Sequence, residues 1–230
     1  MAEPENRLIE SLPRKDRLGL LAVCTRAELE LAQVLADPGT PMSHAYFPTD
    51  GFISLVTCIE GSPGVEVGMI GCEGMLGAHF ALGVSHSPLH AVVQGSGRAW
   101  QVSAVALRRE LRASAALRQA LGRYIYVLMG QLAHSAACLR FHLIGPRLAR
   151  WLLMSQDRSR SVHFRVTHEF LAYMLGVRRV GVTSAAGRLQ KDGLITYHRG
   201  EVTILDRSAL EAAACGCYAA DRHTYMAWMR

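Results

Sequence analysis

A chain of 230 residues, half of them hydrophobic and 19% charged, has the length for two modest domains and the apolar content for buried cores. Its net charge of +6 and pI near 9.2 favour a polyanionic partner. No apolar run approaches membrane-spanning length, and the polar N-terminus MAEPENRLIE is unlike a signal peptide, so the expected compartment is the cytoplasm and no membrane partner is expected. The six cysteines (Cys24, Cys58, Cys72, Cys138, Cys215 and Cys217) are scattered, which fits reduced thiols rather than a disulfide framework.

Residues 8–36 read as helical, with Leu8, Ile9 and Leu12 followed by a stretch rich in Leu, Ala and Glu, until Asp37-Pro38-Gly39-Thr40-Pro41 breaks the pattern. Short apolar runs follow at 45–47, 52–59, 65–70, 91–94 and 99–102, punctuated by glycines. Many short strands with Gly turns predict a small barrel or sandwich. A helix over 104–111 comes next, then the longest helical run, 114–141. In it Leu121, Ile125, Leu128, Leu132, Ser135 and Leu139 alternate spacings of four and three, the rhythm of a dimer seam. A second stripe, Leu117, Tyr124, Val127 and Met129, is available to pack against the barrel. Gly145-Pro146 is expected to end the helix, with residues 147–157 starting the next domain.

Residues 167–194 read as two short helices joined by a Gly turn. Thr167 caps the first, Glu169 sits in its first turn, and Phe170, Leu171 and Met174 bury one face. Gly176 supplies a left-handed turn residue. Val182, Ala185, Ala186 and Leu189 form the buried stripe of the second helix, which leaves Arg178, Arg179, Thr183, Ser184, Arg188 and Lys191 outward. That is the layout of a DNA-binding helix-turn-helix. Residues 194–198 and 201–205 are β-like runs around His198-Arg199-Gly200, a hairpin that makes the winged variety, with Arg199 at its tip to reach a phosphate. Between Arg140 and Gly200 there are 11 Lys or Arg against 3 acids, a net +8 that exceeds the +6 of the whole chain. The positive charge is thus concentrated where the motif is.

Other chemistry is thinner. Cys215-Gly216-Cys217, with His223 beyond, supplies soft ligands or a redox pair, yet its Ala-rich helical setting favours two reduced thiols. His79, His86 and His90 sit in the presumed sensor and read as surface groups. No metal or cofactor is assigned, no nucleophile–base set is present, and the chain is not expected to be an enzyme.

The order of parts is α+β: a jelly-roll β-barrel with flanking helices (1–113), a dimerisation helix (114–142) and a winged helix-turn-helix (143–230). At this point the chain resembles the Crp/Fnr family of transcription regulators. GMIGCEGMLG (68–77), the long helix, RLARWLLMSQDR (147–158) and THEFLAYMLGVRR (167–179) carry the resemblance. It implies a cyclic-nucleotide-binding-like sensor domain, a homodimer on near-palindromic double-stranded DNA, RNA polymerase as a further partner and an unidentified small-molecule effector. Three departures matter. Cyclic-nucleotide binders carry a Gly-Glu pair and a later Arg-Ser/Thr-Ala, where this chain has Gly74-Met75-Leu76-Gly77 and Leu89-His90-Ala91. A buried phosphate without a cation is costly, so cAMP and cGMP are not expected to bind. Only Cys24 precedes the barrel, too few for an iron–sulfur centre. In the recognition helix Arg179-Val180 and Ser184 stand where the family often has Arg-Glu and a second Arg. Arg179 still suits a guanine, and Val180 suits a thymine methyl. Two functions therefore fit: a dimeric DNA-binding regulator, or a ligand- or metal-sensing module whose helix-turn-helix is structural. The charge segregation favours the first.

Overall fold

A computed structural model describes residues 6–60 and 64–229. Two short helices open the chain, Arg7–Glu10 (α1) and Arg14–Ala22 (α2). The Asn6 side chain accepts from Leu8 N and Ile9 N, and its amide donates to Pro48 O (2.9 Å) and Gly74 O (2.7 Å). One residue thereby caps α1 and ties it to the sheet domain.

Seven strands follow: Thr25–Leu29 (β1), Val34–Ala36 (β2), His44–Pro48 (β3), Phe52–Thr57 (β4), Val65–Ile70 (β5), His90–Gly95 (β6) and Gly97–Ser103 (β7). They form two antiparallel sheets, ordered β1-β7-β3 and β2-β6-β4-β5. The sheets share one apolar core with Phe47, Ile53, Ile70, Val93 and Ala99 at its centre, an open form of the expected β-barrel. The helix expected over 8–36 is corrected from residue 25 onward. Thr25–Leu29 pairs along β7, and ladder pairing overrides the helical propensity of its Ala, Glu and Leu.

Ala104–Ala113 (α3) leads to Ala115–Phe141 (α4), whose N-cap Ser114 accepts from Leu117 N. The break comes at His142 and Leu143, not at Gly145-Pro146. Pro146 lies in the first turn of Ile144–Ser159 (α5), where its missing N–H costs nothing.

The C-terminal part comprises α5, His163–Arg165 (β8), His168–Leu175 (α6), Arg179–Lys191 (α7), Ile195–His198 (β9), Glu201–Ile204 (β10), Arg207–Ala213 (α8) and Cys217–Trp228 (α9). Its core gathers Leu152, Leu171, Val182, Leu189, Ile195 and Leu210, together with Phe52 and Met69 of the sheet domain. Trp151 meets Phe52, Phe164 and Phe170 edge-on at 6.3–6.4 Å between ring centres. Its indole N–H donates to Glu66 Oε1 (2.9 Å), and burial pushes the Glu66 carboxyl up to about 7. Met174 of α6 packs on Val56 and Val92. The last helix runs back along α4. His134 Nδ1 lies 2.7 Å from Asp221, and the Tyr225 hydroxyl donates to Glu73 O at 3.0 Å.

Candidate nucleic-acid interface

Thr167 Oγ1 accepts from Phe170 N (3.1 Å), which starts α6, and Leu171, Ala172, Met174 and Leu175 turn inward. The helix ends at Gly176, φ 61°. Gly176 N donates to Tyr173 O and Val177 N to Ala172 O, a pair of bonds that closes the helix through a left-handed residue. This turn sets α7 at its angle to α6.

In α7 the residues Val182, Ala185, Ala186 and Leu189 are buried, and Arg178, Arg179, Thr183, Ser184, Arg188 and Lys191 are exposed. Arg178 occupies the N-cap position without capping, so no side chain of the N-cap residue takes up the first amides of α7, and Arg178 and Arg179 are both exposed beside them. That combination suits an anion. Val180 is 72% exposed in the first turn. The Thr183 hydroxyl donates to Arg179 O (3.1 Å) and meets His168 Nδ1 at 3.0 Å, so it braces α7 against α6. His168 stacks flat on Tyr197 of the wing, 4.4 Å between ring centres, and the Tyr197 hydroxyl donates to Val166 O (2.6 Å). Burial, then the nearby Arg179, hold the His168 imidazole below its ordinary value and keep it neutral. Sequence patterning did not single out this His–Tyr brace, because neither residue belongs to an apolar stripe.

The wing has three strands, ordered β8-β10-β9, one more than the expected hairpin. Arg199 and Gly200 take φ 49° and 84° in a two-residue turn, so Arg199 stands exposed at the tip. Its edge strand β8 is too short to show a pattern in sequence.

The charge count is corrected by burial. Of the 11 cations between Arg140 and Gly200, Arg147, Arg150 and Arg158 are buried. Arg147 donates to Leu175 O, Arg150 Nη2 lies 2.7 Å from Asp221, and Arg158 Nε lies 2.9 Å from Glu73. These three serve structure. Arg178, Arg179, Arg188, Lys191 and Arg199 remain on the outer face.

The dimer seam is also corrected. Leu121 is fully buried in the core of its own chain, and Ile125 and Leu128 pack against that core. Leu132 is half-buried and Leu139 exposed. Leu117, Tyr124 and Val127 of the second stripe face the sheets as expected, whereas Met129 is 62% exposed. The outward stripe of α4 is instead Gly122, Tyr126, Met129, Ala133 and Ala136, again at spacings of four and three.

In the sheet domain, Glu73 is committed to Arg158, and a side-chain carbon at Gly74 would overlap the Tyr124 hydroxyl. The cavity between the sheets, α4, α5 and α9 measures about 220 Å³ and is lined by Met69, Glu73, Tyr124, Gln131, Arg158 and Tyr225, among others. Pockets for drug-sized ligands run from about 300 Å³ upward. His90 Nδ1 pairs with Asp37 (2.7 Å) and His86 Nδ1 with Ser85 (3.1 Å).

The family model for the Crp-like helix-turn-helix domain matches residues 146–213. Over that span the chain is similar to Crp-like helix-turn-helix domains. Solved structures of Crp/Fnr-type regulators share the fold over most of the chain. FixK2 from Bradyrhizobium japonicum superposes with a TM-score of 0.70 at 12% identity, covering 84% of this chain and 98% of its own. The c-di-GMP-responsive global regulator CLP of Xanthomonas campestris gives 0.66 at 17%, covering 84% and 100%. A CRP-family transcriptional regulator from Thermus thermophilus, TTHB099, gives 0.63 at 19%, covering 82% and 96%. Among curated proteins, none matches the chain by sequence. No described helix is long and apolar enough to cross a membrane. The matched span ends before α9, which packs on α4.

Proposed function

We propose that the protein is a homodimeric, sequence-specific DNA-binding transcription regulator. Residues 1–113 sense, 114–142 dimerise and 143–230 bind DNA. The observation that carries this reading is the outward face of α7, where Arg178, Arg179, Arg188 and Lys191 surround Thr183 and Ser184 with no acid between them. Arg179 and Val180 read base edges, Arg199 and Lys191 hold phosphates, and Thr167 and Thr183 fix the register of the two helices. It is Met174 of α6 that packs on the sensor sheet, which leaves the cationic face of α7 outward. This favours DNA binding over a structural helix-turn-helix. The protein has no catalytic role in this reading. RNA polymerase is its downstream partner, and the cytoplasm is its place of action.

Dimerisation runs through the exposed stripe of α4, Gly122, Tyr126, Met129 and Ala133, whose small residues admit close helix approach. Met129→Glu with Ala133→Glu should convert the dimer to monomer in sedimentation velocity and lower affinity for a palindromic site by more than about tenfold. A variant that stays dimeric would return the seam to another face.

The sensor does not take cyclic nucleotides in this reading. Its cassette lacks a cation for the phosphate, and Glu73 is held by Arg158. Calorimetric titration of cAMP or cGMP should give no millimolar-or-better isotherm and no change in DNA affinity. A micromolar isotherm would contradict this assignment.

A further inference from the structure

Four soft ligands meet where α4 ends and the Crp-like domain begins. Cys138 lies in the last turn of α4, His142 directly follows that helix, Cys215 lies between α8 and α9, and Cys217 opens α9. The three thiols are buried and form a cluster of their own, apart from both apolar cores. One ligand atom from each of the four residues lies within 4.8 Å of every other. Cys138 Sγ and Cys215 Sγ are 3.4 Å apart, and Cys217 Sγ and His142 Nδ1 are 3.6 Å apart. With zinc–sulfur bonds of about 2.3 Å and zinc–nitrogen bonds of about 2.0–2.1 Å, neighbouring ligand atoms of a tetrahedral shell are about 3.5–3.8 Å apart. The closest pairs already have that spacing, and the widest closes with about 1 Å of side-chain movement.

We propose that Cys138, His142, Cys215 and Cys217 form a four-coordinate Cys₃His site for a borderline-soft divalent metal, zinc being the best fit. The donor set holds no oxygen, which excludes calcium and magnesium, and four protein ligands leave no open position. Three thiolates around a divalent ion carry one net negative charge, and the buried Arg147 and Arg150 of α5 interact electrostatically with these thiols.

The site ties together residues 77 apart in sequence, and Cys215 N also donates to Pro146 O (3.3 Å) beside it. A metal here would fix the angle between α4 and the DNA-binding domain. Cys215 and Cys217 lie just past the span matched by the Crp-like domain. The site stands on its ligands alone and does not depend on the DNA-binding reading.

The test is native mass spectrometry and metal analysis of the full-length, reduced protein after dialysis against zinc, with Co(II) as a spectroscopic probe. The expected result is one ion per chain and the thiolate charge-transfer and d–d bands of tetrahedral cobalt. Cys217→Ser and His142→Ala should each weaken binding by at least about tenfold, the low end of what disturbing even an outer-shell partner costs. Cys58→Ser, an exposed thiol elsewhere, should change nothing. Circular dichroism of each variant separates lost ligation from lost folding, and His142→Ala, which removes only a half-buried ligand, should stay folded. Reduced protein that binds no zinc would overturn the proposal. So would undiminished metal in a Cys138→Ser, Cys217→Ser double variant, or a Cys138–Cys215 disulfide in air with indifference to zinc when reduced.

Discussion

Glu73→Gln should lower stability by about 3–5 kcal/mol, because it strands the Arg158 guanidinium in the interior. The pair is 2.9 Å apart, and the two side chains are only 9% and 15% exposed. Arg158 also reaches Met154 O and Met69 O, so it joins α5 to β5 and to the loop that follows it. For a chain of this length each kcal/mol moves Tm by roughly 2–4 °C. Calorimetry should therefore show a fall well outside error. Glu73→Leu combined with Arg158→Met should recover most of the loss, since a packed apolar pair removes both desolvation costs. A fall under about 1 kcal/mol for Glu73→Gln would mean that water reaches the pair.

The second large effect is expected at the recognition helix. Arg179→Ala should cost about 1–3 kcal/mol on the preferred site and flatten discrimination at one base position. Arg199→Ala should weaken all sequences alike and lower the salt slope by about one unit per lost contact. Binding to a library of randomised half-sites at two salt concentrations separates these outcomes. If both variants weaken binding uniformly, Arg179 only clamps phosphate. Specificity would then lie with Arg178, Val180, Ser184 or DNA shape.

Much of the helix-turn-helix was legible because its signals are local. The stripe Val182, Ala185, Ala186 and Leu189, the cap Thr167 and the turn residue Gly176 each act within a few residues of sequence. The Arg199-Gly200 turn is equally local. What failed was non-local. The strand Thr25–Leu29 has helix-forming residues, and only its partner β7 decides its state. The Leu121 seam has the right rhythm for a dimer, yet a helix lying on its own sheets needs the same rhythm, and sequence does not say which stripe meets which surface. Arg147, Arg150 and Arg158 count as basic in composition, but each faces inward to a partner on a distant element. The Cys₃His grouping was hidden for the same reason. Cys215 and Cys217 read as two reduced thiols, with only His223 near in sequence as a further ligand, and it is folding that brings Cys138 and His142 beside them.

The most direct measurement is the affinity of the purified protein for duplex DNA as a function of salt. Each protomer presents Arg178, Arg179, Arg188, Lys191 and Arg199 outward. If about three phosphates are neutralised per protomer, log K should fall against log salt with a slope of about −5. A slope shallower than about −2, or equal binding by a monomeric variant, would contradict a dimer that holds DNA through this face.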